Sequence, residues 1–304
     1  MLEADDWLAD LGHTDPMLLN VDTSALVRQA RSAAARAASL AQVEIVDEFE
    51  MDRLRDVAAL FITVWGTSQQ GAPIPSDVLR SISHAGCNVA VAYDVNGTLL
   101  GSAVAIVSPE NSSTYSLIAA VLPEIADRGV GFALKQHQRA WALARGLGTM
   151  IWTFDPLVSR NARFNLTKLG AHSVEYVRDF YGLMQDEINS SDVSDRLVAV
   201  WPLTTDHAIA CSKGEPEPVE LPDFSPDDVR TLGPDGHPVL IEVGASLWCR
   251  VPADIVALRA QNADEAAAWR GCIREIFITA FASGHTARGV TRTGWYRLTT
   301  EGQP

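Results

Sequence analysis

From Val43 onward the chain switches repeatedly between two hydrophobic periods, and each switch marks an element. "VEIVD" (43–47) alternates apolar and polar residues, the two-residue period of a strand. In "MDRLRDVAALFITVW" (51–65), Met51, Leu54, Val57, Ala58, Phe61 and Trp65 recur at helical spacing. A shorter helix is predicted after Pro75, carried by Val78, Leu79 and Ile82. "NVAVAYDVNGTLLGSAVAIVS" (88–108) predicts a hairpin, because Asn96-Gly97 tolerates positive φ and alternating apolar runs flank it. "STYSLIAAVL" (113–122) is the next strand. A helix is predicted over 129–145, with an apolar stripe of Val130, Ala133, Leu134, His137, Trp141 and Ala144, and with Gly146 placed to close it in the left-handed conformation.

"TMIWTF" (149–154) reads as a buried strand stopped by Asp155-Pro156. "SRNARFNLTKLG" (159–170) reads as a short helix, and "AHSVEYVRDFYG" (171–182) and "DRLVAVWPL" (195–203) as two strands. Residues 203–236 contain "KGEPEPVELPDFSPDD", rich in proline and acid, and read as a linker. "PVLIEVGASLWCRV" (238–251) reads as strand with a break at Gly244. "PADIVALRAQNADEAAAWRGCIREIFITAFASG" (252–284) reads mostly as helix, with a stripe of Trp269, Cys272, Ile273, Ile276, Phe277 and Ala280. "TARGVTRTGWYRLTT" (286–300) is a final strand or hairpin. Ahead of Val43, the alanine-rich 23–42 predicts a helix capped by Thr23 or Ser24, and 1–22 an acidic, irregular arm. The expected organisation is an arm and helix over 1–42, a main α/β domain over 43–202, the linker over 203–236, and a smaller α/β module over 237–304.

Composition narrows the function classes. With 304 residues, 47% of them hydrophobic, the chain can bury a large core. A formal charge of −14 argues against a nucleic-acid groove or an anionic membrane surface as partner. Cys87, Cys211, Cys249 and Cys272 lie far apart, and none forms a C-x-x-C pair or a Cys/His ligand cluster, so no metal is expected. Reduced cysteines and an acidic "MLEADDWLADLG" start without a basic, apolar leader pattern suit a cytoplasmic protein.

The chemistry concentrates in "EIADRGVGFALK" (124–135). A strand ends near Val121 and a helix begins near Gly129. The first helical turn offers unpaired N–H groups and the positive end of the helix dipole. Gly129 and Gly131 allow a phosphate to approach the backbone, and Arg128 adds a forked cation. Asp127, next to them, opposes an anion. On these residues alone, a phosphate site and an ordinary strand-to-helix turn both remain open.

The element order, with this turn after the fourth strand, resembles the GCN5-related N-acetyltransferase (GNAT) superfamily. Its fingerprint is Gln/Arg-x-x-Gly-x-Gly/Ala. Here Ala126-Asp127-Arg128-Gly129-Val130-Gly131 matches both glycines and replaces the first position by Ala126. "NARFNLTKLGA" also resembles the superfamily's Asn-bearing helix after the fifth strand, with Asn161 and Gly170 in place and Ala171 where phenylalanine is usual. "WTFDPLVSRNARFNLTKLGA" further resembles a branch of long GNAT-like proteins, some linked with N-succinylamino-acid racemases. The resemblance implies an α/β (α+β) fold with a mixed central sheet and splayed strands 4 and 5, plus the smaller C-terminal module.

It also implies a function: transfer of an acetyl or succinyl-type group from acyl-CoA to the amine of a small molecule or amino acid. Ala119, Ala120 and Val121 would pair with the pantetheine arm. Arg128, Gly129, Val130 and Gly131 would hold the pyrophosphate, with Asn161 and Phe164 as further CoA contacts. Asp155 is the expected base, with Glu124 a weaker choice. Tyr181 or Tyr176 is the expected acid, because Leu166 stands where many relatives have a tyrosine. Trp65 and Arg160 are expected to meet the acceptor. Neither nucleic acid nor membrane is expected as partner, and a homodimer is left open. The alternative is a degenerate GNAT protein that binds CoA or another anion without transfer; an acyl-CoA enzyme of another reaction type, such as a decarboxylase, is a further one.

Overall fold

The computed structural model describes residues 23–66, 72–108, 112–182 and 193–300. The expected arm over 1–22 lies outside them. The chain divides into two compact units. One runs up to Ile151 and includes Pro202–Lys213; the other comprises Trp152–Trp201 and the residues from Gly214 onward.

The first unit contains α1 (Thr23–Ala41), β1 (Glu44–Asp47), α2 (Met51–Trp65), α3 (Ser76–His84), β2 (Asn88–Tyr93), β3 (Leu99–Ser108), β4 (Ser113–Val121), α4 (Val130–Leu143) and the start of β5 (Thr149–Phe154). Its strands lie in the order β1-β2-β3-β4-β5. β1 to β4 are antiparallel neighbours, whereas β4 and β5 are parallel. Both faces of the sheet are covered, so the strand residues are buried on both sides. Val89, Val91 and Val104 meet Leu54, Val57, Phe61 and Leu79 of α2 and α3. Ala90, Ala92 and Ala103 meet Val130, Ala133 and Leu134 of α4 and Ala37 and Ala41 of α1. Alanine at these facing positions is what lets α1, α4 and the sheet approach closely. Gly101 has the same cause in stronger form, because a Cβ there would stand 2.8 Å from the Ala120 carbonyl oxygen.

The second unit takes in the end of β5, α5 (Ser159–Arg163), β6 (Tyr176–Val177), β7 (Arg196–Pro202, ending at the unit boundary) and a five-stranded antiparallel sheet. That sheet has the order β11-β12-β10-β9-β8, from β8 (Val229–Leu232), β9 (Pro238–Val243), β10 (Ser246–Arg250), β11 (His285–Val290) and β12 (Trp295–Thr300). The strand expected over 238–251 does break at Gly244, and its halves, β9 and β10, pair as an antiparallel hairpin. Phe277 stacks on Tyr176 and meets Tyr296 edge-on at 5.0 Å. The mixed α/β class and the additional C-terminal sheet and helices agree with the expectation.

Several elements differ from the sequence reading. The strand expected over 171–182 shrinks to Tyr176–Val177, because Asp179 at φ 47 turns the chain away. The polar stretch 203–236 holds a helix, α6 (Asp206–Ser212), capped by the Thr205 hydroxyl with Ala208 and Cys211 buried, and also the strand β8. The long helix over 252–284 is two: α7 (Ile255–Gln261) and α8 (Ala263–Ala282). Asn262 leaves the helical conformation (φ −151, ψ 88) and its side chain accepts from the Glu265 N–H, which starts a new helix. The helix over 159–170 is α-helical only to Arg163, then widens to a π turn over Phe164–Lys168 closed by Leu169 N–H to the Phe164 carbonyl.

Candidate functional site

In the first unit, β4 leads through a short 3-10 turn (Pro123–Ile125) to the start of α4. Asp127 (φ 73) and Gly129 (φ 88) both take the left-handed conformation here. Glycine adopts it without strain, and aspartate is among the few other residues that tolerate it. Gly129 stands at the N-cap of α4 and, as a glycine, brings no side chain to cap it. The first-turn N–H groups, from Val130 on, have no place in the helical ladder. Arg128 and Gly129 are exposed and Gly131 is half-buried. One detail corrects the expectation: the Arg128 backbone N–H is committed to the Ile125 carbonyl at 3.2 Å, so Arg128 offers an anion only its guanidinium.

β4 itself is irregular in a useful place. Val104 pairs with Ile118 but Ala105 pairs with Ser116, so Leu117 is an extra residue, a bulge, and is 39% exposed. The parallel ladder to β5 comprises only Thr114↔Met150 and Tyr115↔Ile151. Beyond it, β4 continues along β3 to Val121 with no partner on its other edge among the described residues. Ala119 is exposed, Ala120 buried and Val121 half-buried on that stretch. Trp65, at the end of α2, is half-buried with its ring 5.8 Å from Phe61.

α4 departs most from its sequence pattern. Of the expected stripe, Val130, Ala133, Leu134 and Trp141 are buried, but Ala144 is exposed. His137 is partly covered and lies 2.7 Å from Asp47, which also accepts from Asn88. Burial would raise the Asp47 pKa, but the hydrogen bond and charge of His137 outweigh it, and the net shift is downward. Lys135, Gln136, Gln138 and Arg139, which pattern alone assigns to solvent, are buried as well. Lys135 Nζ donates to Ser116 Oγ at 2.7 Å, and Ser116 donates to Gln138 Oε1 at 3.1 Å. Burial pulls the Lys135 pKa down to about 7.

The remaining expected site residues belong to the second unit. Asp155 does not fit the role of base. It is 8% exposed, and its carboxylate accepts from Arg270 Nη1 (2.7 Å) and Nη2 (2.9 Å), from Arg259 Nη2 (2.6 Å) and from the Leu157 N–H (2.9 Å). Burial would raise its pKa, but the hydrogen bonds and charges of Arg270 and Arg259 hold it far below the usual carboxylate range. A carboxylate with four donors and that acidity is a structural anchor and a poor proton acceptor.

Tyr176 is likewise committed. It is buried, its hydroxyl donates to Asp195 Oδ2 at 2.7 Å, and burial followed by that hydrogen bond pushes its pKa well up. Arg274 holds the same carboxylate at 2.7 Å. Tyr181 is different. It is 51% exposed, its hydroxyl lies 3.3 Å from Thr153 Oγ1, and the Arg196 guanidinium sits 5.4 Å from its ring centre. Arg160 and Asn161 are exposed on α5, where Asn161 Oδ1 accepts from Asn165 at 3.3 Å; Phe164 is half-buried. Leu166, where the resemblance would set a tyrosine acid, is fully buried.

Sequence reasoning missed the Lys135–Ser116–Gln138 group and the arginines around Asp155. The first had a faint signal: Gly131, Lys135, Gln138 and Ala142 share one face of α4, and no acidic residue accompanies them as on an ordinary solvated face. The second had none, since Asp155 and Arg270 are 115 residues apart.

No family model matches the chain, and no curated protein matches it. Among solved structures it is similar to the ribosomal-protein-S18-alanine N-acetyltransferase from Escherichia coli, with 16% identity over 54% of this chain and 95% of that one (TM-score 0.43). It is similar to an N-acetyltransferase from Staphylococcus aureus Mu50, with 14% identity over 53% and 98% (TM-score 0.44). A GNAT superfamily phosphinothricin acetyltransferase from Sinorhizobium meliloti, in complex with AcCoA, shares 18% identity over 53% and 88% (TM-score 0.44).

Proposed function

We propose that this chain is an acyl-CoA-dependent N-acyltransferase of the GNAT type, which moves an acetyl or succinyl-type group to the amine of a small molecule or amino acid. The observation that carries the reading is the start of α4, with Gly129 left-handed at its N-cap, after a strand whose outer edge beyond Tyr115 has no partner among the described residues. The pyrophosphate lies on the N–H groups of the first helical turn, with Arg128 alongside. The pantetheine amides pair with the β4 edge at Ala119 to Val121, as an added strand would. A free N–H on the same edge polarises the thioester carbonyl, and orientation of the amine supplies much of the remaining rate. Of the two tyrosines expected as acid only Tyr181 is exposed, and Trp65 and Arg160 are assigned to the acceptor. Asn161 and Phe164 are assigned to CoA.

A second reading, a protein that binds CoA without transfer, is favoured by Asp127 beside the turn and by the buried Leu166. Incubation with acetyl-CoA or succinyl-CoA and an amino-acid panel, following free thiol, separates the two. Release with any pair supports transfer. CoA-dependent thermal stabilisation without release supports binding alone, and the absence of both sinks both. A milder variant probes the turn: Asp127→Gly is expected to relieve about 1 kcal/mol of left-handed strain. It is also expected to tighten CoA, more so at low salt. An affinity unchanged across a salt series would mean that the carboxylate does not face the ligand.

A further inference from the structure

We propose that Ser116, backed by Lys135, delivers the proton to the departing CoA thiolate; this rests on the acyl-CoA reading above. Leu166 is buried where a phenol is usual and Tyr176 is committed to Asp195; Ser116, on β4 itself, takes the donor role in place of Tyr181. The distance along β4 fits. From its phosphate to its sulfur, the pantetheine arm is about twelve bonds long, the reach of about four residues of extended backbone. Counted back from Val121, beside the phosphate turn, that length brings the sulfur to the bulge at Leu117, next to Ser116.

The group around Ser116 is suited to the task. Its hydroxyl accepts from Lys135 Nζ at 2.7 Å and donates to the Gln138 amide oxygen at 3.1 Å, so a proton path already runs through it. Lys135 is 4% exposed, Ser116 5% and Gln138 0%. The Gln138 amide nitrogen and both amide atoms of Gln136 are buried with no hydrogen-bond partner among the described residues. A core selected for stability alone does not leave so many polar atoms unsatisfied. A lysine with a pKa of about 7 is also a stronger acid than an ordinary thiol, at roughly 8.5, so transfer from it toward a thiolate runs downhill.

The step balances as follows. The amine lone pair attacks the thioester carbon, and the C–S bond breaks with its electron pair left on sulfur. The Ser116 proton moves to sulfur, and a Lys135 proton replaces it on the serine oxygen. The surplus proton on the new amide nitrogen leaves to solvent, and Lys135 regains one from water after product departs. Ser116 touches the reacting sulfur; Lys135 acts through it.

The test measures thiol release from acetyl-CoA with an amino-acid panel, and CoA affinity by calorimetry, on the full chain. Lys135→Met is nearly isosteric and replaces a buried ammonium, so it is expected to melt no lower than the parent. Lys135→Met and Ser116→Ala are expected to lower kcat about 100-fold or more, with KM for acetyl-CoA and CoA affinity within about twofold. Ser116→Thr, which keeps the hydroxyl, is expected to retain most of the rate, and Ser116→Val, of the same shape, to lose it. Equal rates for the Thr and Val variants, or a Lys135→Met variant as fast as the parent, would overturn the relay while leaving acyl transfer intact. A parent chain that binds CoA but releases no thiol overturns both the relay and transfer, and one that binds no CoA removes the site itself.

Discussion

Replacement of Asp155 by alanine is expected to destabilise the second unit by about 3–5 kcal/mol. The carboxylate is the common acceptor of Arg259 and Arg270, which are 6% and 2% exposed. Its removal takes from two buried guanidiniums the counter-charge that they share, and losing a buried counter-charge costs more than losing a hydrogen bond. It also frees the Leu157 N–H. Urea unfolding followed by tryptophan fluorescence reads the effect, and a loss under about 1 kcal/mol would show that the cluster is not the anchor described. The pH dependence has a definite sign. The folded carboxyl is held far below its unfolded value of 3.8, so the unfolded chain binds the proton first. The stabilisation is therefore fully present above pH 4 or so and lost only as pH falls below that, and the alanine variant should be less sensitive to acid over that range. The same geometry removes Asp155 from the list of bases: Asp155→Asn should lower stability far more than it changes the pH profile of turnover.

Gly129→Asp is expected to weaken CoA binding by roughly 100-fold or more, equivalent to about 2.7 kcal/mol. Its backbone is left-handed, so any side chain costs about 1 kcal/mol of strain. There is room for one, since a Cβ would meet only the Ala41 methyl at 3.7 Å, and the fold should survive. Gly129→Ala pays the same strain without charge and serves as the control, with a loss expected to stay within about tenfold. The large difference comes from a carboxylate set where the helix dipole and free N–H groups favour an anion. Equal losses for alanine and aspartate would mean that strain alone is at work, and undiminished affinity for aspartate would place the phosphate elsewhere.

The local elements were legible where pattern and turn chemistry agree. Asn96-Gly97 marked the hairpin, Pro75 the start of α3 and Gly146 the end of α4. Two local signals were outweighed by composition. Asn262 with Glu265 forms a cap inside an alanine-rich run, and it divides what reads as one helix. Thr205 caps α6 within a stretch whose prolines and acids suggest only linker. The candidate site was legible in its backbone part, because glycine placement and helix onset are properties of neighbouring residues. Its side-chain chemistry was not. Asp155 and Tyr176 stood at plausible positions, yet partners more than 100 residues away for one, and Asp195 with Arg274 for the other, decide their state.

The sequence by itself determined the order of strands and helices from Val43 to Phe154, the glycine turn at Arg128 to Gly131, and the leucine at position 166. Each follows from interactions within a few residues or from the residue type alone. Only the tertiary structure decided which polar groups are shielded from water. It turned Lys135, on the face of α4 that pattern gives to solvent, into a buried ammonium held against Ser116, and Asp155 from a base into an anchor. A side chain's protonation and reach depend on burial and on partners distant in the chain, and the periodicity of its own segment carries neither.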